Sequence, residues 1–397
     1  MSTRKHNDFR VMKKLAAIVI FLSVLNSCNN DKWAEYSEPD FSGNGDKVYL
    51  DKGDSVTVNV PEKHFNMFTN CQIFHDSLLY AYSLDDGRRL SLYNMNSGKF
   101  MYDITVDKNT SGVVRINNFT VVSEDSIFFS TSPKTGLVLV DSRGRKLDMW
   151  TDGDMVISPE MEPSLSEGYA FSIASYLENF QYDKGKNLIY SVLSPFSAYD
   201  ELGDPEVRRH GIYNLSSRKW EKVMAPYEGV LKYKGESNVY FYDMHHPYQI
   251  VIDDLMYVTY PVDHRVYTYD MNTGKLLKEK DISPSCATRF DRPLDYSLTN
   301  DRELNQLRRS TAYYGPLYYH PDTRCFSRFY NLRQVEGREA ERAIVIYDMD
   351  FNIVYEKIFK LNEISRIVPA DDGIVVICTD PYDADTFALV KYKICWK

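Results

Sequence analysis

The sequence predicts an all-β chain folded as a β-propeller of six blades. Three observations carry that prediction: a strand–turn–strand phrase that recurs five times, an apolar strand upstream of each copy, and a last unit that lacks its outer strand while a spare strand stands near the N-terminus. The clearest copy runs from Arg265 to Leu277. In it Val266, Thr268 and Asp270 alternate with Tyr267 and Tyr269, the two-residue period of a strand. Asn272-Thr273-Gly274 then supplies the positive-φ position of a tight hairpin.

In chain order, the first 27 residues read as an export signal. Lys13-Lys14 is a positive segment, Leu15 to Leu25 is apolar, and Leu25-Asn26-Ser27-Cys28 follows. That apolar run is too short to span a bilayer as a mature helix. The last four residues resemble the lipobox of bacterial lipoproteins, with Asn26 an unusual occupant, which implies lipidation of Cys28 and an outer-membrane anchor facing periplasm or exterior. Met12 is a natural start, so residues 1–11 read as an upstream extension. Residues 28–45, rich in Ser, Glu, Pro, Asp and Gly, are expected to be a flexible tether, and 46–397 the propeller.

Asp54 to Val60 is the spare strand. The copies follow: Leu92-Tyr93-Asn94-Met95-Asn96-Ser97-Gly98, then Leu139 to Leu147 around Asp141, then Gly211 to Trp220, then the opening phrase, then Val345 to Val354. Each places Asp or Asn after the aligned position, where its side chain can bond the turn backbone, and Asn352 stands where Gly274 would be. The upstream strands are Ser77–Tyr82, Ser126–Ser130, Asn187–Val192, Leu255–Thr259 and Arg324–Phe329, most of them preceded by a further strand such as Tyr248–Ile252 or Ile367–Ala370. Gly373–Ile377 and Phe387–Tyr392 leave the last unit without an outer strand. Pairing 54–60 there closes the ring and removes two exposed edges. The gaps 151–186 and 283–310 are long enough for a seventh blade, and Asn300-Asp301-Arg302-Glu303 inside the second reads as the N-cap of a short helix.

Composition bounds the partners. Without the first 27 residues the chain holds 42 basic and 55 acidic side chains, net −13, which repels phosphate backbones and argues against nucleic-acid binding. The remaining cysteines, Cys71, Cys286, Cys325, Cys378 and Cys395, have no Cys-x-x-Cys spacing and read as small core residues rather than a disulfide or zinc framework. No cofactor is expected, and a monomer is expected.

Loops joining second and third strands converge on one face with those leading into the inner strands, and ligands of propellers meet that face. Two clusters there have the chemistry for a site. His245, His246 and His264 with Asp263 offer nitrogen and oxygen donors for a transition metal, though their spacing is not that of a ligand motif and solvated loop residues would look the same. Asp85, Asp86, Asp380 and Asp383 form an acidic rim suited to general acid–base work or calcium, equally readable as ordinary surface acids. Arg88 and Arg265 can grip an anion or pair with those acids, and Tyr313, Tyr314 and Tyr382 are placed to stack on sugar rings. No phosphate-binding Gly-rich loop, Gly-x-Ser-x-Gly elbow or His-Glu-x-x-His occurs.

The phrases Asn117–Val122, Asp125–Ser130, Leu137–Asp141, Tyr313–Tyr319 and Ala343–Asp348, in this order, resemble uncharacterised lipoprotein propellers of Gram-negative bacteria, classed as a domain of unknown function. The resemblance implies a propeller fold and carries over no catalytic residue. The expected function is binding of a ligand, glycan, peptide or partner protein on the loop-rich face, with the membrane met only through the lipid. The alternative is a hydrolase or lyase using the acidic rim.

Overall fold

The computed structural model describes residues 43–44, 47–61, 64, 68, 70–82, 88–106, 115–132, 136–155, 157, 161, 169–171, 180–195, 208–229, 246–288, 311–333, 341–360, 366–380 and 383–397. All of them lie in one unit, Pro39–Lys397. The predicted signal, Cys28 and the short helix at 300 lie outside the described residues.

Six antiparallel sheets follow one another along the chain. Blade 1 is β3 (Asn70–Phe74), β4 (Leu78–Tyr82), β5 (Arg89–Asn94) and β6 (Lys99–Thr105). Blade 2 is β7 (Arg115–Ser123), β8 (Ser126–Ser132), β9 (Gly136–Val140) and β10 (Lys146–Trp150), followed by the one-turn helix α1 (Asp152–Met155). Blade 3 is β12 (Gln181–Asp183), β13 (Leu188–Pro195), β14 (Arg208–Asn214) and β15 (Lys219–Pro226), with β11 (Tyr169–Phe171) added beside the far end of β13. Blade 4 is β16 (Tyr248–Ile252), β17 (Leu255–Thr259), β18 (Arg265–Asp270) and β19 (Leu276–Asp281). Blade 5 is β20 (Tyr313–His320), β21 (Cys325–Asn331), β22 (Glu341–Tyr347) and β23 (Ile353–Lys360).

Blade 6 takes β24 (Arg366–Ala370), β25 (Gly373–Asp380) and β26 (Asp383–Trp396) from the C-terminus, and β2 (Val48–Asn59) from the other end of the chain. The register runs from Val48 opposite Trp396 to Asn59 opposite Thr386, with one irregularity between Lys52 and Ser55. The clasp expected at 54–60 is thus longer, because Val48 and Leu50 are buried between blades 5 and 6 as Val58 is between blades 6 and 1. The propeller also begins earlier than residue 46. β1 (Gly43–Asn44), inside the expected tether, pairs with Tyr49 and Leu50 as a fifth strand and covers the outer edge.

Two facts fix the blade number at six. The inner strands touch in the order β3, β7, β12, β16, β20, β24 and back to β3. The buried apolar residues fall into six clusters, one for each pair of adjacent blades. A seventh blade would have to separate two blades that are in direct contact.

The repeated tyrosine is the apolar anchor of its hairpin: Tyr93, Tyr213 and Tyr347 are fully buried and Tyr269 nearly so. The turn that follows docks on the outer strand of the preceding blade. Gly98 lies so close to Thr57 of the clasp that a Cβ there would stand 2.0 Å from its carbonyl oxygen, and Gly144 meets Thr105 of blade 1 in the same way. In blades 3 and 4 long side chains take over this spacing: Arg218 donates to Met149 O (2.9 Å), and Lys222 to Met271 O (2.8 Å).

The turns come in two lengths. Blades 1, 3 and 4 place positive φ at Gly98, Arg218 and Gly274, whereas blades 2 and 5 have a loop one residue shorter and place it at Gly144 and Phe351. Asn352 is therefore not the left-handed residue of blade 5. Phe351 takes that conformation because its ring is buried and stacked on Phe326, centroids 4.6 Å apart.

Candidate functional site

Of the predicted rim residues, Asp263, His264 and Tyr314 are bonded into the fold. Asp263, in the turn between β17 and β18, is buried, and it accepts Tyr267 Oη (2.8 Å) and the Arg265 amide (3.0 Å). His264 uses both ring nitrogens. Nε2 lies 3.1 Å from the Thr288 carbonyl, which can only accept, so Nε2 carries the hydrogen and Nδ1 accepts from Tyr314 Oη at 2.7 Å. Burial holds the ring below its ordinary pKa, with the Thr288 bond opposing, so it is a neutral bridge with no lone pair left for a metal. His246 leads into β16, and burial with Arg209 nearby pushes it down to about 4. His245 lies outside the described residues, and among the described residues no group of three His, Cys, Asp or Glu converges as a metal site would need.

Tyr314 corrects an expectation. Its ring is fully buried, under the guanidinium of Arg328 at 4.0 Å and beside Tyr330, so it presents no face to a sugar. Arg328 is itself buried, donating Nε to Gly315 O (3.0 Å) and Nη2 to Tyr260 O (2.7 Å). The irregular step between Tyr314 and Leu317 turns Gly315 O toward that guanidinium. Tyr313 is half-buried against the core between blades 3 and 4, and its carbonyl accepts from Asn331. Arg265 stands 3.9 Å from Glu279 of β19, which is not one of the rim acids. Arg88 immediately precedes β5, its carbonyl accepting the Val106 amide. Asp380 pairs with Asp383 across the backbone of the β25–β26 turn. Asp85, Asp86 and Tyr382 lie outside the described residues, as do the side chains of Asp380 and Asp383.

Among the described residues, a concave space lies on the axis instead. A cavity of about 470 Å³ is lined by all six inner strands, through residues 70–73, 120–121, 180–182, 248–250, 316–319 and 366–371. Each of these strands ends its sheet, so its free edge faces the channel; Pro316 and Pro369 sit there because an edge loses no ladder bond to proline. Side-chain amides reach across from blade to blade. Gln72 Oε1 accepts the Val121 amide (2.9 Å), and Gln181 both donates to Val251 O and accepts its amide, each at 2.7 Å. His320 ties blade 5 to blade 6, donating Nδ1–H to Ala370 O (2.7 Å) and accepting from Ser327 Oγ (2.7 Å).

The channel is polarised along its length. Arg366, at the start of β24, faces it at the end where the inner strands begin, with Nε donated to Phe68 O (3.0 Å). Asp371, in the turn after β24, lies at the other end, its carboxyl raised above the usual range by burial and by Asp76, Asp322 and Asp372. Between them Gln249 lends Oε1 to His210 Nδ1 (2.6 Å) while its Nε2 is buried without a partner among the described residues. Sequence reasoning missed this site because inner-strand residues are ordinary strand residues, and only ring closure makes their free edges into one wall.

A family described as a domain of unknown function (DUF4221) matches residues 47–358. The structure is similar to the crystal structure of a DUF4221 member from Bacteroides vulgatus ATCC 8482, TM-score 0.71 at 10% identity, over 89% of this chain and 100% of that one. It is also similar to that of a candidate exported protein from Bacteroides fragilis NCTC 9343, TM-score 0.50 at 11% identity, over 87% of this chain and 95% of that one. No curated protein matches the chain in sequence.

Proposed function

The chain belongs to the DUF4221 family, which supplies a fold and no activity, and on that premise we propose that it is an exported, lipid-anchored binding protein whose ligand sits in the central channel. The axial cavity carries this reading, since it is concave, framed by a rigid ring and furnished with polar groups at both ends. Its size is within the range of about 300–1,000 Å³ usual for small-molecule sites. The described residues of the predicted rim lend no comparable support, because Asp263, His264 and Tyr314 satisfy one another or their neighbours inside the fold. Export rests on Lys13-Lys14 and the apolar run to Leu25, with the name of the B. fragilis relative pointing the same way.

A thermal-shift screen of small molecules against the wild type and Ile367→Trp tests the reading. Ligands that stabilise the wild type should lose their effect when the added indole fills the channel. Hits that all survive the substitution would move the site away from the axis. Separately, Cys28→Ser should release the protein from the membrane fraction into the soluble one, and retention there would refute the anchor.

A further inference from the structure

We infer that the channel binds a small organic oxyanion, a carboxylate or phosphate ester, with its acid group on Arg366. This rests on the reading of the channel as the binding site. Among the described residues Arg366 uses only Nε and makes no ion pair, although Arg218, Arg145, Lys186 and Lys391 each have a carboxylate within 4 Å. Its two terminal nitrogens therefore present a parallel pair of donors of the spacing that carboxylate and phosphate oxygens accept. In a chain of net charge −9, a guanidinium in the cavity wall with no carboxylate against it, Asp371 being at the other end, is a local reversal of sign.

The surroundings keep that charge available. Cys71, the neighbouring thiol, is pushed up to about 12 by burial and stays neutral beside Arg366. Gln249, on the same cavity wall, holds an amide donor, Nε2, that is buried and without a partner among the described residues. Ile250, Ile367 and Tyr318 line the space and suit a hydrocarbon or ring body. Asp371 stands at the opposite end, where a second anionic group would be repelled. The ligand is thereby oriented, acid toward Arg366 and neutral or hydroxylated end toward Asp371.

Isothermal titration of the full chain with benzoate, glucose 6-phosphate, inorganic phosphate and neutral glucose tests this. Benzoate and glucose 6-phosphate should bind, more weakly at high salt, and glucose should not. Arg366→Gln should lower both anion affinities at least tenfold, and Arg218→Gln, already paired with Asp148 on an outer strand, should change neither. Anion binding that is unaltered by Arg366→Gln, or no heat from any anion at millimolar concentration, overturns the inference. If neutral ligands bind, lose binding in Ile367→Trp and keep it in Arg366→Gln, the channel reading stands and the oxyanion falls. If no ligand's binding responds to Ile367→Trp, both fall.

Discussion

At the scale of single residues, the fold depends on imidazoles kept neutral in its interior. His210 and His320 are fully buried, and burial pushes each down to about 4 from the ordinary 6.5. Between pH 6.5 and 4 the unfolded chain takes protons that the native state refuses, so the unfolded state gains and stability falls as pH drops through that window. Each such histidine contributes a slope of up to about 1.4 kcal/mol per pH unit. Urea midpoints should therefore decline from pH 6.5 toward 4.5, and His320→Gln should flatten the decline even if it lowers the midpoint overall. An unchanged slope in that variant would contradict the assignment. The sequence showed which residues alternate along a strand, and so aligned Tyr93, Tyr213, Tyr269 and Tyr347 at one position of the repeat, which the structure shows to be buried. It did not show that His264 and Tyr314, fifty positions apart, consume each other's hydrogen-bonding capacity. Such pairing is set by blade contact and leaves no local pattern.

At the scale of elements, the repeated hairpin is a spacer between blades. Its turn packs on the outer strand of the preceding blade, and the contact differs from copy to copy. Gly98 and Gly274 share positive φ, at 65° and 71°, but only Gly98 abuts backbone, whereas a Cβ at Gly274 would meet nothing nearer than Met224 at 3.6 Å. Gly274→Ala should cost about 1–2 kcal/mol, the strain of an L-residue in the left-handed region. Gly98→Ala should cost distinctly more, because Thr57 and the clasp must shift as well, and chemical denaturation should separate the two. Equal costs would mean that the turn does not bear on the clasp. The hairpin phrases were legible because their turns demand Asp, Asn and Gly at fixed offsets. The one-residue difference in loop length was not, since Asp350-Phe351-Asn352 satisfies either alignment until Phe351 is seen buried beside Phe326.

At the scale of the whole molecule, closure produces the site. The missing outer strand of the last blade and the spare strand near residue 54 were visible in the sequence and implied a ring. The wall built from six free inner edges is a property of the closed ring alone, which is why the sequence directed attention to the loops. A ligand on the axis must lie against those edges, and it should slow hydrogen exchange of the amides that face it. The most direct measurement is hydrogen–deuterium exchange of the full chain with and without saturating glucose 6-phosphate. Slowed exchange should appear in 70–74, 248–252 and 366–370, with none in the 260–265 turn. Protection confined to that turn or to the outer strands, with the inner strands unchanged, would contradict a ligand site on the propeller axis.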